Sequence, residues 1–319
     1  MRNTITIFIS AVLLGAAQAL PAQSVSPALT FVLMDSDART AGMAGAGALL
    51  PDNPSAVRHN AAAVLSGERS VGAAVSAGPW NSRFDTADVL YSASGYWNID
   101  DRNGIVAGVR YIAGDEIALT DDWGYPAGTA SPYDLAAEIG YARGFGKHIR
   151  ASLTARYLRS DLGLGDAPMQ GLSFDIAAVY HGRAGFRDGA SWSVGVKLAD
   201  LGPKVRAGEG TGYPLPMRAV ASGCVVLPFS ANHVLNVAAD IGCRFSPVAF
   251  EAAAGVEYVF LRHGIVRAGY HAGDALTGGN HAAVGCGFIA GPVRCDASWR
   301  LAGDGPLDDT FCFTLALLL

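Results

Sequence analysis

Hydrophobic and polar residues alternate with a period of two through most of the chain. From Ile149 to Tyr157 the odd-numbered positions are apolar or aromatic, and the even-numbered ones are arginine, serine or threonine. Similar alternation covers Leu172–Tyr180, Leu235–Cys243 and Val293–Trp299. Successive side chains of a β-strand point to opposite faces, so each segment predicts a strand with one apolar and one polar face. Lengths of about 9–12 residues are typical of tilted strands that cross a bilayer.

Fourteen such segments follow one another along the chain. The connections after segments 2, 4, 8, 10 and 12 are short, whereas those after segments 1, 3, 5, 7, 11 and 13 are longer. The connection after segment 9 is also short, and the one after segment 6 is intermediate. An even number of strands with short turns at one end and long loops at the other is typical of outer-membrane barrels. We therefore predict an all-β fold, a 14-stranded antiparallel transmembrane β-barrel, whose strands start near residues 68, 89, 104, 135, 148, 171, 190, 217, 232, 250, 263, 281, 292 and 309.

A soluble β-sandwich or barrel would show the same alternation, with the apolar face as its core. Two features favour the membrane. Aromatic residues such as Tyr91, Trp97 and Trp299 lie near the ends of the apolar faces, where an interfacial girdle belongs. The polar faces are rich in glycine, alanine and serine, which suits a crowded interior better than a solvated surface.

Composition narrows the class of protein further. Half of the 319 residues are hydrophobic and only 16% are charged, against roughly 25% in a typical soluble protein. The net charge is −5 and no block of basic residues occurs, which argues against nucleic acid as a partner. The high apolar content excludes a disordered chain.

The chain begins with the features of a secretory signal peptide, which we place at residues 1–22. Arg2 supplies the positive start, Ile5–Leu14 the apolar stretch, and Ala17–Ala19 or Leu20–Ala22 the small-residue cleavage site. The alternative is an N-terminal membrane anchor, for which the apolar run is short. We expect export to the outer membrane, with cleavage after Ala19 or Ala22.

The stretch after the signal peptide does not alternate. It contains several glycines, two prolines in Pro51–Pro54, and a short helical run around Ala56–Leu65. We predict that residues 23–66 form a small plug in the mouth of a barrel made by residues 67–319; a disordered leader is the alternative.

Charged residues on the polar faces should point into the barrel. A charge facing lipid costs about 2–4 kcal/mol at the bilayer midplane, so the lumen is the favourable place for them. Because both signs occur, they could form a structural network that holds the plug, or they could line a ligand passage. The expected lumen-facing charges are Arg110, Glu138, Arg150, Arg156, Asp175, Asp240, Arg244, Glu251, Glu257, Arg267, Arg294, Asp296 and Arg300.

Motifs of enzymes and metal sites are missing from the sequence. There is no G-x-S-x-G elbow, H-E-x-x-H pair or Walker loop. His271, Asp274 and His281 flank a glycine-rich loop and could hold a metal, but their spacing has no ligand periodicity, so we predict a solvated loop there. The five cysteines have no C-x-x-C spacing and are expected to be small apolar strand residues. We predict no enzymatic activity, no metal and no cofactor.

Several motifs resemble the PorV/PorQ family of type IX secretion outer-membrane proteins, which share the fold of the FadL fatty-acid transporters. The first are Asp37–Arg39, Gly42–Met43 and Asn60 in the plug. The others, which resemble the PorV branch, are Gly114–Glu116, Ala155–Leu162, Leu198–Val205, Gly255–Tyr258 and Val266–Tyr270. The resemblance covers nearly the whole chain after the signal peptide.

This resemblance implies a plug motif of Asp37, Arg39, Gly42, Met43 and Asn60. It also implies a function in which the protein binds secreted cargo through a C-terminal signal domain, receives it from the translocon and passes it to a cell-surface attachment complex. The partners implied are therefore cargo, translocon and attachment-complex proteins, with outer-membrane lipid around the barrel. The alternative is a FadL-like transporter of hydrophobic small molecules.

Overall fold

The computed structural model describes residues 26–79, 88–185, 187–274, 276, 278–301 and 309–319. The predicted signal peptide, residues 1–22, lies outside the described residues. In the described part, no helix is both long and apolar enough to cross a membrane.

The described chain is dominated by long antiparallel strands, and each of the fourteen predicted strands is present, starting within three residues of its expected position. Three further short strands lie in two of the long connections. The strands are β1 (Val71–Pro79), β2 (Val89–Asp100), β3 (Asn103–Ala113), β4 (Ile117–Thr120), β5 (Pro126–Ala130), β6 (Tyr133–Phe145), β7 (Ile149–Asp161), β8 (Met169–Arg183), β9 (Ser191–Leu201), β10 (Arg206–Ala207), β11 (Arg218–Ser230), β12 (His233–Phe245), β13 (Val248–Phe260), β14 (Gly264–Ala272), β15 (His281–Ala290), β16 (Val293–Arg300) and β17 (Phe311–Leu318).

The sheet closes on itself. Strand β1 pairs with β2 on one side and with the last strand, β17, on the other, with Ala74 opposite Ala316. Strands β8 and β9 complete the ring. Closure satisfies the backbone hydrogen bonds of every barrel strand, which a sheet in hydrocarbon requires. The predicted 14-stranded antiparallel barrel is confirmed.

The two ends of the barrel differ in the length of their connections. At the short-turn end, two residues join β2 to β3, β11 to β12 and β15 to β16. At the long-connection end, residues 114–132 join β3 to β6 and residues 202–217 join β9 to β11. The β12–β13 connection, residues 246–247, also lies at the long-connection end but is short, as the sequence indicated.

The apolar faces of the strands point outward. Ile139, Leu153 and Ile241 are each more than half exposed, and Cys286 and Cys295 are exposed on the same outer surface. The outer surface carries aromatic rings near the strand ends, such as Phe250 and Trp97. A soluble sandwich would bury these faces, so this arrangement belongs to a membrane protein.

The plug segment, which we define as residues 26–66, contains three short 3₁₀ helices and one helical turn. The 3₁₀ helices are Thr30–Leu33, Pro54–Val57 and Ala61–Ser66, and the turn is Ala38–Ala41. The plug segment lies inside the barrel. Phe31 packs in a cluster with Leu90 and Leu158 of the wall, and Val57 packs with Val106.

We expect arginine to destabilise the outer surface according to its depth in the bilayer. Ala239 is exposed at the centre of β12, whereas Val248 is exposed at the first position of β13. Ala239→Arg should cost about 2–4 kcal/mol and Val248→Arg about 0–1 kcal/mol of unfolding free energy. Urea titrations of both variants in lipid vesicles measure the difference. Equal costs would mean that the strand centres do not lie in hydrocarbon.

Candidate functional site

Polar residues of the plug motif cap its short helical segments. Asp37 precedes the turn Ala38–Ala41 and accepts a hydrogen bond from the Thr40 amide at 2.9 Å. Asn60 caps Ala61–Ser66 through the Ala62 amide at 3.1 Å. Side-chain oxygens at these positions satisfy amides that have no partner within the helix.

The Asp37 carboxylate also binds His59, whose Nε2 lies 2.9 Å from Oδ2. Burial raises the pKa of Asp37, but the His59 hydrogen bond and charge and the Thr40 amide outweigh it, so this pKa lies well below its usual range. The ionised carboxylate therefore ties the two helical parts of the plug together.

Arg39 connects the plug to the barrel wall. Its Nε lies 2.9 Å from Oε2 of Glu257 and its Nη2 lies 2.7 Å from Oε1, a bidentate pair. Glu257 also accepts hydrogen bonds from Arg267 at 2.7 Å and from Asn236 at 2.8 Å. Glu257 is only 1% exposed. Three donors from two strands and the plug thus meet at one buried carboxylate.

The ion pairs extend along the wall from this point. Arg267 Nη2 lies 2.8 Å from Asp296, and Asp296 also pairs with Arg294 at 2.8 Å. All three side chains are buried. We name Arg39, Glu257, Arg267, Arg294 and Asp296 the plug-side cluster.

A second buried cluster surrounds Arg156 on the opposite wall. Arg156 pairs with Glu138 at 3.3 Å, with Asp175 at 2.9 Å, and with Asp200. Arg110 binds Glu138 at 2.6 Å and also reaches backbone carbonyls of the plug segment. We name the group of Arg110, Glu138, Arg156, Asp175, Lys197 and Asp200 the Arg156 cluster.

Lys197 and Asp200 were not among the predicted charges, yet both are buried. Lys197 Nζ lies 2.8 Å from Asp175 and 2.6 Å from the carbonyl oxygen of Arg58 in the plug. The alternation of Val194, Val196 and Leu198 already placed Lys197 on the inner face, so period two alone could have found it.

Of the remaining predicted charges, Asp240, Arg244, Glu251 and Arg300 lie toward the long-connection end, whereas Arg150 is the second residue of β7, at the short-turn end. Asp240 accepts hydrogen bonds from the plug amides of Gly47 and Ala48 at 3.0 and 3.2 Å. Glu251 pairs with Arg218 at 3.0 Å. Arg150 has no ion pair among the described residues. Arg244 pairs with Asp274, and Arg300 donates to the carbonyl of Gly278.

Glycines in the wall make room for the plug backbone. Gly255 and Gly269 face each other across β13 and β14, and Met43 lies directly against both. A Cβ at Gly269 would lie 2.3 Å from the carbonyl atoms of Met43, and one at Gly255 would lie 2.7 Å from its Cβ. Gly42 meets the backbone of Gly285 in the same way. The Gly42-Met43 motif is therefore a docking point of the plug.

We expect Gly269→Ala to destabilise the protein by about 1–3 kcal/mol, because the new methyl group must displace the plug backbone. Gly223→Ala is the matched control, since a Cβ there meets nothing within 4 Å; its effect should stay within about 0.5 kcal/mol. Urea unfolding, combined with proteolysis of the plug, measures both variants. If Gly269→Ala leaves both readouts unchanged, Met43 is not seated as described.

A cavity of about 190 Å³ lies between the plug and the long-connection end. It is lined by plug residues such as Asp35 and Arg58 and by wall residues such as Arg218, Glu251 and Arg300. Charges of both signs surround it, which suits water and polar groups better than a hydrocarbon ligand.

The prediction of a solvated loop is wrong for His271 and His281. His271 is the penultimate residue of β14 and His281 the first of β15; their rings stack with centres 4.9 Å apart, and both side chains are buried. Pairing across adjacent strands holds them there. Asp274 pairs with Arg244. No group of three His, Cys, Asp or Glu side chains within the described residues is arranged to hold a metal.

Comparison with known proteins places this barrel in a family. No curated protein sequence matches the chain. Among solved structures, the toluene transporter TodX of P. putida is 10% identical with a TM-score of 0.58, covering 90% of this chain and 99% of that one. A FadL homologue of Pseudomonas aeruginosa is 13% identical with a TM-score of 0.53, covering 88% of this chain and 97% of that one. At such identities these two show the fold alone.

The family model described as type IX secretion system protein PorV matches residues 17–240, more than two thirds of the chain. This region contains the plug and the strands from β1 into β12. PorV proteins and FadL-like barrels belong to secretion and transport rather than to enzyme chemistry. The chain therefore belongs to the PorV family of type IX secretion system proteins, built as a FadL-like outer-membrane barrel.

Proposed function

We propose that this protein binds the C-terminal signal domain of secreted cargo, receives the cargo from the translocon and passes it to the cell-surface attachment complex. The observation that carries the proposal is the match to the PorV family model over residues 17–240. In this proposal the long-connection end faces the cell exterior, as long loops do in outer-membrane barrels.

Two features of the lumen favour this function over transport of hydrophobic molecules. Buried ion pairs such as Arg39–Glu257 hold the plug against the wall. The cavity above the plug is lined by charges of both signs, including Arg218 and Glu251. We propose that the thirteen predicted lumen-facing charges are mainly a structural network for the plug, and that recognition takes place on the loops of the rigid barrel.

Deleting the gene tests the function in the cell. Cargo proteins should remain in the periplasm with the signal domain uncleaved, whereas uptake of long-chain fatty acids or aromatic hydrocarbons should not change. Complementation with the intact gene is the control. Normal secretion would contradict the proposal.

A FadL-like transporter is the second candidate, favoured by the fold that the chain shares with TodX. Because one fold supports both functions, the fold cannot separate them. Loss of hydrophobic uptake with normal secretion in the same deletion strain would establish transport instead.

We also propose that export proceeds through cleavage of the signal peptide after Ala19 or Ala22. N-terminal sequencing of the protein from outer membranes should return a chain that starts at Leu20 or at Gln23. A chain that still starts at Met1 would indicate an uncleaved N-terminal anchor.

A further inference from the structure

The connection between β3 and β6 is built as a projecting hairpin. Its strands β4 and β5 pair with each other, with Ile117 opposite Ala130, and within the described residues neither is hydrogen-bonded to the barrel sheet. The base is fixed, because the Gly114 amide donates to the carbonyl of Pro132 at 2.9 Å and Ala130 is buried.

The tip of the hairpin is ordered by one carboxylate. Asp121 Oδ1 accepts hydrogen bonds from the amides of Trp123 and Tyr125, each at 2.9 Å. The backbone closes the same turn, since the Gly124 amide donates to the Asp121 carbonyl and the Asp121 amide donates to the Tyr125 carbonyl. Gly124 has a φ of +83°, which favours glycine there.

This ordered turn presents two aromatic rings to solvent. Trp123 is 84% exposed and Tyr125 is 70% exposed. Large aromatic side chains on an ordered backbone turn gain much from burial and have few rotatable bonds to immobilise on binding, and such residues dominate binding hot spots. The geometry is that of a preformed anchor.

The hairpin is also uniformly acidic. Residues 114–132 contain Asp115, Glu116, Asp121 and Asp122 and no lysine or arginine, and these four residues are exposed. Like charges concentrated beside exposed aromatic rings favour a partner of opposite charge. An anionic lipid surface would repel the same carboxylates, so a membrane is the poorer occupant.

We propose that the β4–β5 hairpin is the docking element for a protein partner that offers an apolar pocket bordered by lysine and arginine, and that this partner is the cargo signal domain. The inference rests on the proposed function and adds the contact site to it. Trp123 and Tyr125 fill the pocket, and the four carboxylates attract its basic border.

Binding of a purified cargo signal domain to the full-length protein in lipid nanodiscs tests the inference. Trp123→Ala should raise Kd about 30-fold, mainly through faster dissociation. Trp123→Phe should retain most of the affinity, because an aromatic ring remains. Leu261→Ala is the control, since Leu261 is also exposed but lies in the short turn between β13 and β14 at the opposite end.

Charge is tested separately from the anchor. Asp122→Asn should slow association about threefold and flatten its dependence on salt, because it removes one attracting charge. The carboxylate that orders the turn is that of Asp121, so Asp122 can be changed without disturbing those contacts. The heat-modifiable migration of every variant should match that of the unmodified protein, which separates a binding defect from a folding defect.

The outcomes separate the two proposals. If the unmodified protein does not bind the signal domain, the proposed function fails and the inference fails with it. If the unmodified protein binds and Trp123→Ala binds equally well, the proposed function stands and the hairpin is not the docking element. If brominated lipids quench a component of the tryptophan fluorescence that the unmodified protein shows and Trp123→Phe does not, the tip of the hairpin lies in the membrane and the inference is overturned.

Discussion

Replacing Glu257 by alanine is expected to lower the free energy of unfolding by about 3–5 kcal/mol, the usual cost of breaking a buried ion pair from one side. Glu257 accepts hydrogen bonds from Arg39, Arg267 and Asn236 and is 1% exposed. Arg267 keeps Asp296 as a partner after the substitution, but Arg39 loses its bidentate carboxylate. The plug therefore loses its charged attachment to β13.

Urea unfolding in lipid vesicles measures this loss, and protease cleavage within residues 26–66 reports release of the plug. Glu251→Ala is the matched control on the same strand, because the side chains of the Glu251–Arg218 pair are 16–20% exposed and the pair joins two wall strands; its loss should cost less than the loss of Glu257. The Arg39→Met, Glu257→Ala double variant should be less destabilised than the sum of the single changes, since the two side chains interact directly. Additive costs would contradict the contact.

The barrel could be predicted from the sequence because its pattern is local. In segments such as Ile149–Tyr157 the alternation shows which residues lie on the apolar face, so the number of strands and the outer face follow without knowledge of distant contacts. The β12–β13 turn and the intermediate β8–β9 connection were also readable, since both depend on chain length alone.

The arrangement inside the barrel could be predicted only in part. Period two places Glu257 and Arg267 on the inner face, but it does not show that Arg39, 218 residues before Glu257, binds there. Such pairing depends on how the plug folds against the wall. Asp200 is a second example, because its φ of +58° at a strand end turns the backbone in a way that alternation does not indicate.

Under the proposed function, the interior and the loops of the barrel serve different purposes. Inside, buried carboxylates such as Glu257 and Asp175 are each held by at least two cationic partners, which favours a plug that stays in place. Outside, the β4–β5 hairpin exposes Trp123 on an ordered turn. Exchange of cargo at loops needs no opening of the lumen, whereas passage of a substrate along the lumen would require the ion pairs to break.

Arg156→Met should be about as costly as Glu257→Ala, again about 3–5 kcal/mol, because it leaves three buried carboxylates with fewer cations. Arg156 contacts Glu138, Asp175 and Asp200. Arg110 and Lys197 remain as partners of Glu138 and Asp175, but Asp200 loses its only ion pair among the described residues.

Arg150→Met on the same strand is the control for this second cluster. Arg150 is half-buried and inward-facing, and it has no ion pair in the described part of the chain. Its removal leaves no buried charge without a partner, so the unfolding free energy should change by less than about 1 kcal/mol. The comparison separates the effect of losing the ion pairs from the effect of removing an arginine from the lumen. If the two variants unfold at the same urea concentration, the ion pairs around Arg156 do not stabilise the barrel, and the inner charges would be better explained as the lining of a passage.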